Sequence, residues 1–273
     1  MTDAVKAEKI QSDRELAAMF APEPARSRLL AFYRWLEEVE DIPVRAKEPA
    51  IQAMRFAWHR EAVADLFASP QKIRRHAAYE GLAPLAAETP GLSRAGLIGL
   101  IDALEAAVSP EPITDMASLL ELVDAQHEGV MGLALQVLAM DAPDMMQAAS
   151  RASGLAQWVR QFAFRAGRQL PLIPARDLEA AGLNEHRLAT GREAELARQA
   201  FSGVIEALDT ALGELQGAEP CPAEAFPVLG QARLARATLK TAKKSGDLYR
   251  TGFARPQFAR QLDLIRASLT GRL

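Results

Sequence analysis

Apolar residues recur at intervals of three and four along almost the whole chain, and Pro and Gly interrupt the rhythm at short intervals. That period predicts helix after helix. The first is expected to open with Asp13 as N-cap and to end near Phe20, stopped by Ala21-Pro22-Glu23-Pro24. Pro24 suits the first turn of the next, which runs to about Asp41 with Leu29, Leu30, Tyr33, Leu36 and Val39 on one stripe and Pro43 closing it. A third, over residues 49–67, puts Ile51, Met54, Trp58, Ala62 and Leu66 on its stripe. The stretch 69–87 reads as a weaker helix, or two, interrupted by Gly81 and Pro84. Clear helices follow over 92–108, ended by Ser109-Pro110-Glu111-Pro112, from Thr114 or Asp115 through Ala139, and over 144–165. Residues 167–174 read as a loop, 184–215 and 224–250 as long helices, and 257–269 as the last. No repeat of fixed period and no long linker interrupts the series. The expectation is one all-α domain over residues 1–273, with 1–12 flexible.

Composition supports the helical reading. Ala contributes 53 residues and Leu 35, while aromatics make up only 6%, a balance that favours helix over sheet. The 25% charged and 49% apolar fractions are those of a folded globular chain, and a net charge of −3 gives no field for a nucleic-acid backbone. The single Cys221 can make neither an internal disulfide nor a Cys-based zinc site, which points to a reducing compartment. Residues 1–10 are polar and lack the apolar stretch of a secretory signal; the most apolar window, 130–140, is too short to span a bilayer. A cytoplasmic protein is expected. A membrane surface stays open, because the last helix (Phe258, Leu262, Leu264, Ile265, Leu269) is amphipathic enough to touch a bilayer, although packing on the bundle would explain it equally.

Three sets of residues could carry chemistry. Glu37, Glu40 and Asp41 lie at i, i+3 and i+4, on one helix face, as oxygen ligands for a hard cation such as Mg²⁺ would. A solvated acidic face has the same spacing. Arg26, Arg28 and Arg34 on the second helix and Arg55, His59 and Arg60 on the third could bind a diphosphate, or form surface ion pairs, with His59 a satisfied core ring. Gly129 and Gly132 sit in a long helix with an apolar face, each costing about 1 kcal/mol relative to Ala, so a neighbouring helix or an apolar chain should approach there. No nucleophile elbow, P-loop, dinucleotide fingerprint or His-x-x-x-His pair is present.

Residues 29–67 (LLAFYRWLEEVEDIPVRAKEPAIQAMRFAWHREAVADLF) hold an aliphatic-aromatic run with Tyr33 and Arg34, an acidic cluster, a loop with Pro, and then Trp58-His59-Arg60-Glu61. Gly154-Leu155-Ala156-Gln157 leads through a basic stretch with Arg160 and Arg165 to Leu172-Ile173-Pro174. In this the chain resembles the squalene/phytoene synthase family over nearly its whole length. The resemblance implies an isoprenoid-synthase-like helical bundle around a central cavity. It also implies head-to-head coupling of prenyl diphosphates on Mg²⁺ held by two Asp-rich motifs.

The first motif falls on Glu40-Asp41-Ile42-Pro43-Val44, where Val44 cannot bind a cation; the second has no carboxylate between Arg151 and Asp177. A divergent branch is therefore implied, similar to the mitochondrial complex I assembly factor with a phytoene-synthase-like domain. The expected function is that of a pseudoenzyme, an isoprenoid- or lipid-binding protein or a respiratory-complex assembly protein peripheral to the inner membrane, with no cofactor. Its ligand candidates are Tyr33, Arg34, Trp58, His59, Gly129, Gly132, Gln157, Arg160 and Arg165. The alternative is a working prenyltransferase with Mg²⁺ on Glu37, Glu40 and Asp41.

Overall fold

The computed structural model describes residues 12–108 and 112–273. Sixteen α-helices follow one another among these residues, and no strand occurs. They are α1 Asp13–Ala18, α2 Ala25–Glu40, α3 Ile42–Arg45, α4 Pro49–Leu66, α5 Ala77–Glu88, α6 Arg94–Ala106, α7 Met116–Val137 and α8 Met146–Arg160. The second half continues with α9 Phe162–Gly167, α10 Ala175–Ala180, α11 Glu185–Thr190, α12 Ala194–Ala200, α13 Ser202–Gly217, α14 Phe226–Leu229, α15 Ala235–Lys244 and α16 Gln257–Thr270, with a 3₁₀ turn at Gly230–Leu234 before α15. The all-α expectation holds. Apart from Ser12, the segment expected to be flexible lies outside the described residues, as does most of the stop at 109–112.

Several boundaries differ from the sequence reading, each for a local reason. Ser12, not Asp13, caps α1: its side chain accepts from the Glu15 N–H while Glu15 reaches back to the Ser12 N–H, a complete capping box. Pro43 does not close α2; it starts the extra turn α3, where a first-turn proline has no N–H to lose. Gly81 and Pro84 both lie inside α5 without breaking it. The expected helix over 144–165 breaks at Gln161 into α8 and α9. The one over 184–215 breaks at Gly191, which takes a left-handed φ of 64° and caps α11, and again at Phe201 between α12 and α13. The long helix expected over 224–250 is instead α14, the 3₁₀ turn and α15, and it ends at Lys244.

The core is one contiguous cluster of buried apolar side chains running from Leu16 to Leu273. Helix α8 lies at its centre, packed between α7 and α13 and against α15. Small residues allow this: Ala149, Ala152, Ser153, Gly154 and Ala156 let neighbouring backbones approach. On α4 the buried face is Phe56, His59, Ala62, Val63 and Leu66, whereas Ile51 and Met54 of the expected stripe are exposed. Among the described residues no helix is long and apolar enough to cross a membrane.

Candidate functional site

Four elements meet at one end of α8 and build a polar cleft of about 520 Å³. Helix α1 contributes Asp13 and Arg14, α8 contributes Gln157 and Arg160, α15 contributes Thr238, and the entry to α16 contributes Arg255 and Arg260. Four guanidiniums and one carboxylate thus line a single space. Asp13 is shared: its Oδ1 accepts from Arg260 Nη1 at 2.9 Å, and its Oδ2 lies 3.4 Å from Arg160 Nη1. Arg160 also donates to Thr238 Oγ1 at 3.2 Å, and Arg255 pairs with Asp263 at 2.7 Å.

These cations remain short of acceptors. Arg14 Nε, Arg255 Nη1, and Arg260 Nε and Nη2 are buried donors without a hydrogen-bond partner among the described residues. A buried N–H left unmade costs about 1–3 kcal/mol, so an arrangement with several such donors favours an anion or ordered water in the cleft. Burial pulls the Arg160 guanidinium below its ordinary value, opposed by Asp13 and reinforced by Arg260.

Below the cleft the space narrows. A pocket of about 30 Å³ between Asp13, His127, Ser153 and Arg160 leads to an interior pocket of about 80 Å³. Apolar Val39, Phe56, Leu104, Val130 and Phe164 line much of the latter. Gln157 borders all three spaces. The space is therefore divided into a wide outer cleft rich in arginine and a small inner pocket where apolar side chains mix with Glu40, His127 and Arg165. His127 borders the two inner pockets. Burial lowers its pKa to about 4, with Glu40 opposing and Arg14 and Arg160 adding to the effect, and the ring is neutral at pH 7.

Two of the three expected metal ligands, Glu40 and Asp41, have guanidinium partners. Both Glu40 oxygens accept from Arg14, at 2.8 and 2.6 Å. Burial lowers the Arg14 pKa, but the Glu40 carboxylate outweighs it and holds the guanidinium above its ordinary value. Asp41 turns away to Arg45 at 2.9 Å, alongside Glu38 at 2.7 Å, and Glu37 stays half-buried on α2. Among the described residues no three His, Cys, Asp or Glu side chains are grouped to hold a metal ion. The donor set as arranged does not fit Mg²⁺: a fixed positive charge already sits on Glu40, and Arg160, Arg165 and Arg168 occupy the segment where the second motif would lie.

The remaining candidates scatter. His59 is a core ring: its Nδ1 is 2.8 Å from the Tyr79 hydroxyl, and burial lowers its pKa to about 4. Trp58 packs edge-on against His59 and Tyr79 with the Arg74 guanidinium above it. Neither borders the cleft or the inner pockets. Arg34 and Arg55 are exposed, Arg26 pairs with Glu23, Arg28 with Glu88, and Arg60 with Asp102 and Glu105. Tyr33 is buried beneath Arg14, its ring 5.6 Å from the guanidinium carbon.

Arg165 borders the inner pocket but acts as a brace. It donates to Pro171 O at 2.8 Å and Ala107 O at 2.5 Å and stacks 3.8 Å over Trp158; burial lowers its pKa to about 9. The glycine expectation also needs correction. At Gly129 a Cβ would meet only Leu100 at an ordinary 3.4 Å, and at Gly132 nothing within 4 Å. The close approach is at Gly154, where a Cβ would lie 2.5 Å from His127 and 2.6 Å from Val123.

Of the sequence candidates, Gln157 and Arg160 lie in the cleft. Asp13, Arg14, Arg255 and Arg260, which line it too, and His127 beneath it were not singled out as site residues. Two of these carried a signal: His127 falls in phase with Val123 and Val130 on α7, and Arg260 with Leu264 and Ala267 on α16, each a polar residue on a buried stripe.

The family model described as squalene/phytoene synthase matches residues 7–264. No curated protein matches the chain in sequence. Among solved structures, squalene synthase HpnC from Alicyclobacillus acidocaldarius is similar at a TM-score of 0.67 and 15% identity, covering 85% of this chain and 88% of that one. A dehydrosqualene synthase solved in complex with a ligand is similar at a TM-score of 0.65 and 11% identity, covering 94% of this chain and 90% of that one. At such identities the likeness is one of fold.

Proposed function

We propose, for a chain that belongs to the squalene/phytoene synthase family, that it binds the anionic headgroup of an isoprenoid-like lipid in the arginine cleft without coupling prenyl diphosphates. The observation that carries this reading is the fork of Arg14 on both oxygens of Glu40. Mg²⁺ ionises a diphosphate by neutralising the leaving group while carboxylates neutralise the metal. Here an arginine takes the carboxylate, and the surplus positive charge faces the cleft directly. Such a cleft holds a phosphate or diphosphate in its ground state, because Arg forks match phosphate oxygens. It offers no grouped carboxylates on which metal could promote ionisation.

The alternative, a prenyltransferase with Mg²⁺ on Glu37, Glu40 and Asp41, would require Arg14 and Arg45 to release Glu40 and Asp41. Engagement of a respiratory-complex subunit, the other part of the expectation, rests on the sequence resemblance and on no residue of this site.

The test is a pair of measurements on the purified chain. Calorimetric titration with a non-hydrolysable farnesyl diphosphate analogue in EDTA is expected to show binding that Arg160→Gln with Arg260→Gln abolishes. Incubation with labelled farnesyl and geranylgeranyl diphosphates and Mg²⁺ is expected to release no pyrophosphate. Metal-dependent turnover, or no binding in EDTA, overturns the reading.

A further inference from the structure

Helix α16 is apolar on two opposite sides. Arg260, Leu264 and Ala267 form its buried face against the 3₁₀ turn and α1. Phe258, Leu262, Ile265 and Leu269 recur at i, i+4, i+7 and i+11 and form a second stripe on the far side. Leu269 at 82% and Phe258 at 74% are the two most exposed large apolar side chains among the described residues, and Ile265 is 47% exposed. Packing on the bundle therefore accounts for one face of this helix and, among the described residues, leaves the other uncovered.

We infer that this outer stripe is a docking surface for an anionic lipid bilayer. Three observations select a bilayer over a protein. The stripe offers four apolar side chains on one 14-residue helix, about 21 Å long; a stable second-copy interface takes about 20–30 residues a side. The charge is one-sided: the helix carries one carboxylate, Asp263, already neutralised by Arg255 at 2.7 Å, while Arg266 and Arg272 are exposed beside the stripe. Finally, a phenylalanine and aliphatic residues on one face with arginines at its edge is the composition of a helix lying in the plane of a membrane interface. The helix end is held in place, since Gly271 O accepts from the Cys221 N–H at 2.7 Å and Gly271 closes α16 in a left-handed turn.

Arg260, on the opposite face of the same helix, lines the arginine cleft. Docking through α16 sets that cleft one helix diameter, about 10 Å, from the lipid headgroups. The docking itself does not depend on what the cleft binds.

Co-sedimentation of the full chain with phosphatidylcholine vesicles, and with vesicles in which about one-third is phosphatidylglycerol, tests the inference. Binding is expected to the anionic vesicles. Phe258→Ser with Leu269→Ser should weaken it at least about tenfold, with helicity by circular dichroism and EDTA-independent binding of the diphosphate analogue unchanged. Arg266→Gln with Arg272→Gln should lower binding to the anionic vesicles alone. Absence of sedimentation with either vesicle, or binding that survives loss of both apolar side chains, overturns the inference. So does a concentration-dependent dimer in analytical ultracentrifugation that the serine variant dissolves, since a second copy would then cover the face. Loss of analogue binding in Arg160→Gln with Arg260→Gln, with vesicle binding kept, separates the two proposals.

Discussion

Arg14 and Glu40 join the first helix to the end of the second through two parallel hydrogen bonds of 2.8 and 2.6 Å, with Arg14 lining the outer cleft and Glu40 the inner pocket. The pair thus bridges the two spaces beside the narrow pocket that connects them. Removing one partner leaves the other desolvated and alone, which costs more than the pair contributes. Arg14→Met is expected to lower stability by about 2 kcal/mol, below the usual figure for a fully buried pair because both side chains keep some exposure. Adding Glu40→Met should restore most of it. Urea midpoints of the two variants check this: a double variant no more stable than the single one would mean that the pair is favourable in itself.

Two histidines set the acid limb of stability. Burial depresses His127 and His59 to about 4 in the folded chain, against an ordinary 6.5. Between those values the unfolded chain takes up protons that the folded chain refuses, so stability is full above about pH 6.5 and falls as pH drops toward 4. Each proton contributes a slope of up to about 1.4 kcal/mol per pH unit. Denaturant titrations at several pH values are expected to show this fall, and His127→Gln should flatten it by roughly half. A variant with an unchanged slope would mean that His127 is protonated in the folded protein.

Arg165 spans two chain segments that no other side chain described here joins in this way. Its guanidinium reaches the carbonyls of Ala107, at the end of α6, and of Pro171 in the loop after α9, with Trp158 underneath. Arg165→Met should cost about 2–4 kcal/mol, since it leaves buried carbonyls unpaired. Arg165→Lys should recover only part, because a single ammonium cannot span both acceptors in the plane of a fork. Thermal midpoints measure the cost, and a change in tryptophan fluorescence would report the lost stacking on Trp158.

Helix type and approximate extent were legible in the sequence wherever a polar cap met a periodic run, as at Asp115 and α7, because local hydrogen bonds decide such starts. The break at Gln161 was not, since it lies within a continuous helical run, and the one at Gly191 was passed over although a glycine in the left-handed region is a common helix stop. The acidic cluster was legible as a group but not as a site. Spacing put Glu40 and Asp41 on one face, yet their partners come from residues 26 positions earlier and four later, Arg14 and Arg45. The cleft itself is assembled from α1, α8, α15 and α16, so no local pattern could announce it. Only a polar residue in phase with a buried stripe, Arg260 for the cleft and His127 for the pockets beneath it, carried a signal in the sequence.

Gly154 provides a further test of how α7 and α8 fit. Adding a single methyl group there, Gly154→Ala, brings carbon within 2.5 Å of His127 and 2.6 Å of Val123 and should destabilise by about 1–3 kcal/mol. Combining it with Val123→Ala and His127→Ala should make the effect of the added methyl smaller than in the parent, as measured by thermal midpoints around a double-mutant cycle. Equal effects in both backgrounds would show that the helices move apart freely.

That contact also constrains how this sequence can diverge. The ring bordering the inner pockets and the residue beneath it share one volume, so positions 127 and 154 cannot drift independently. A descendant that gains a side chain at 154 needs room at 127 and at 123, and shrinking 127 would widen the inner pocket. Pocket size in this lineage is thus tied to a trade between one glycine and one histidine, and related sequences should show the two positions changing together.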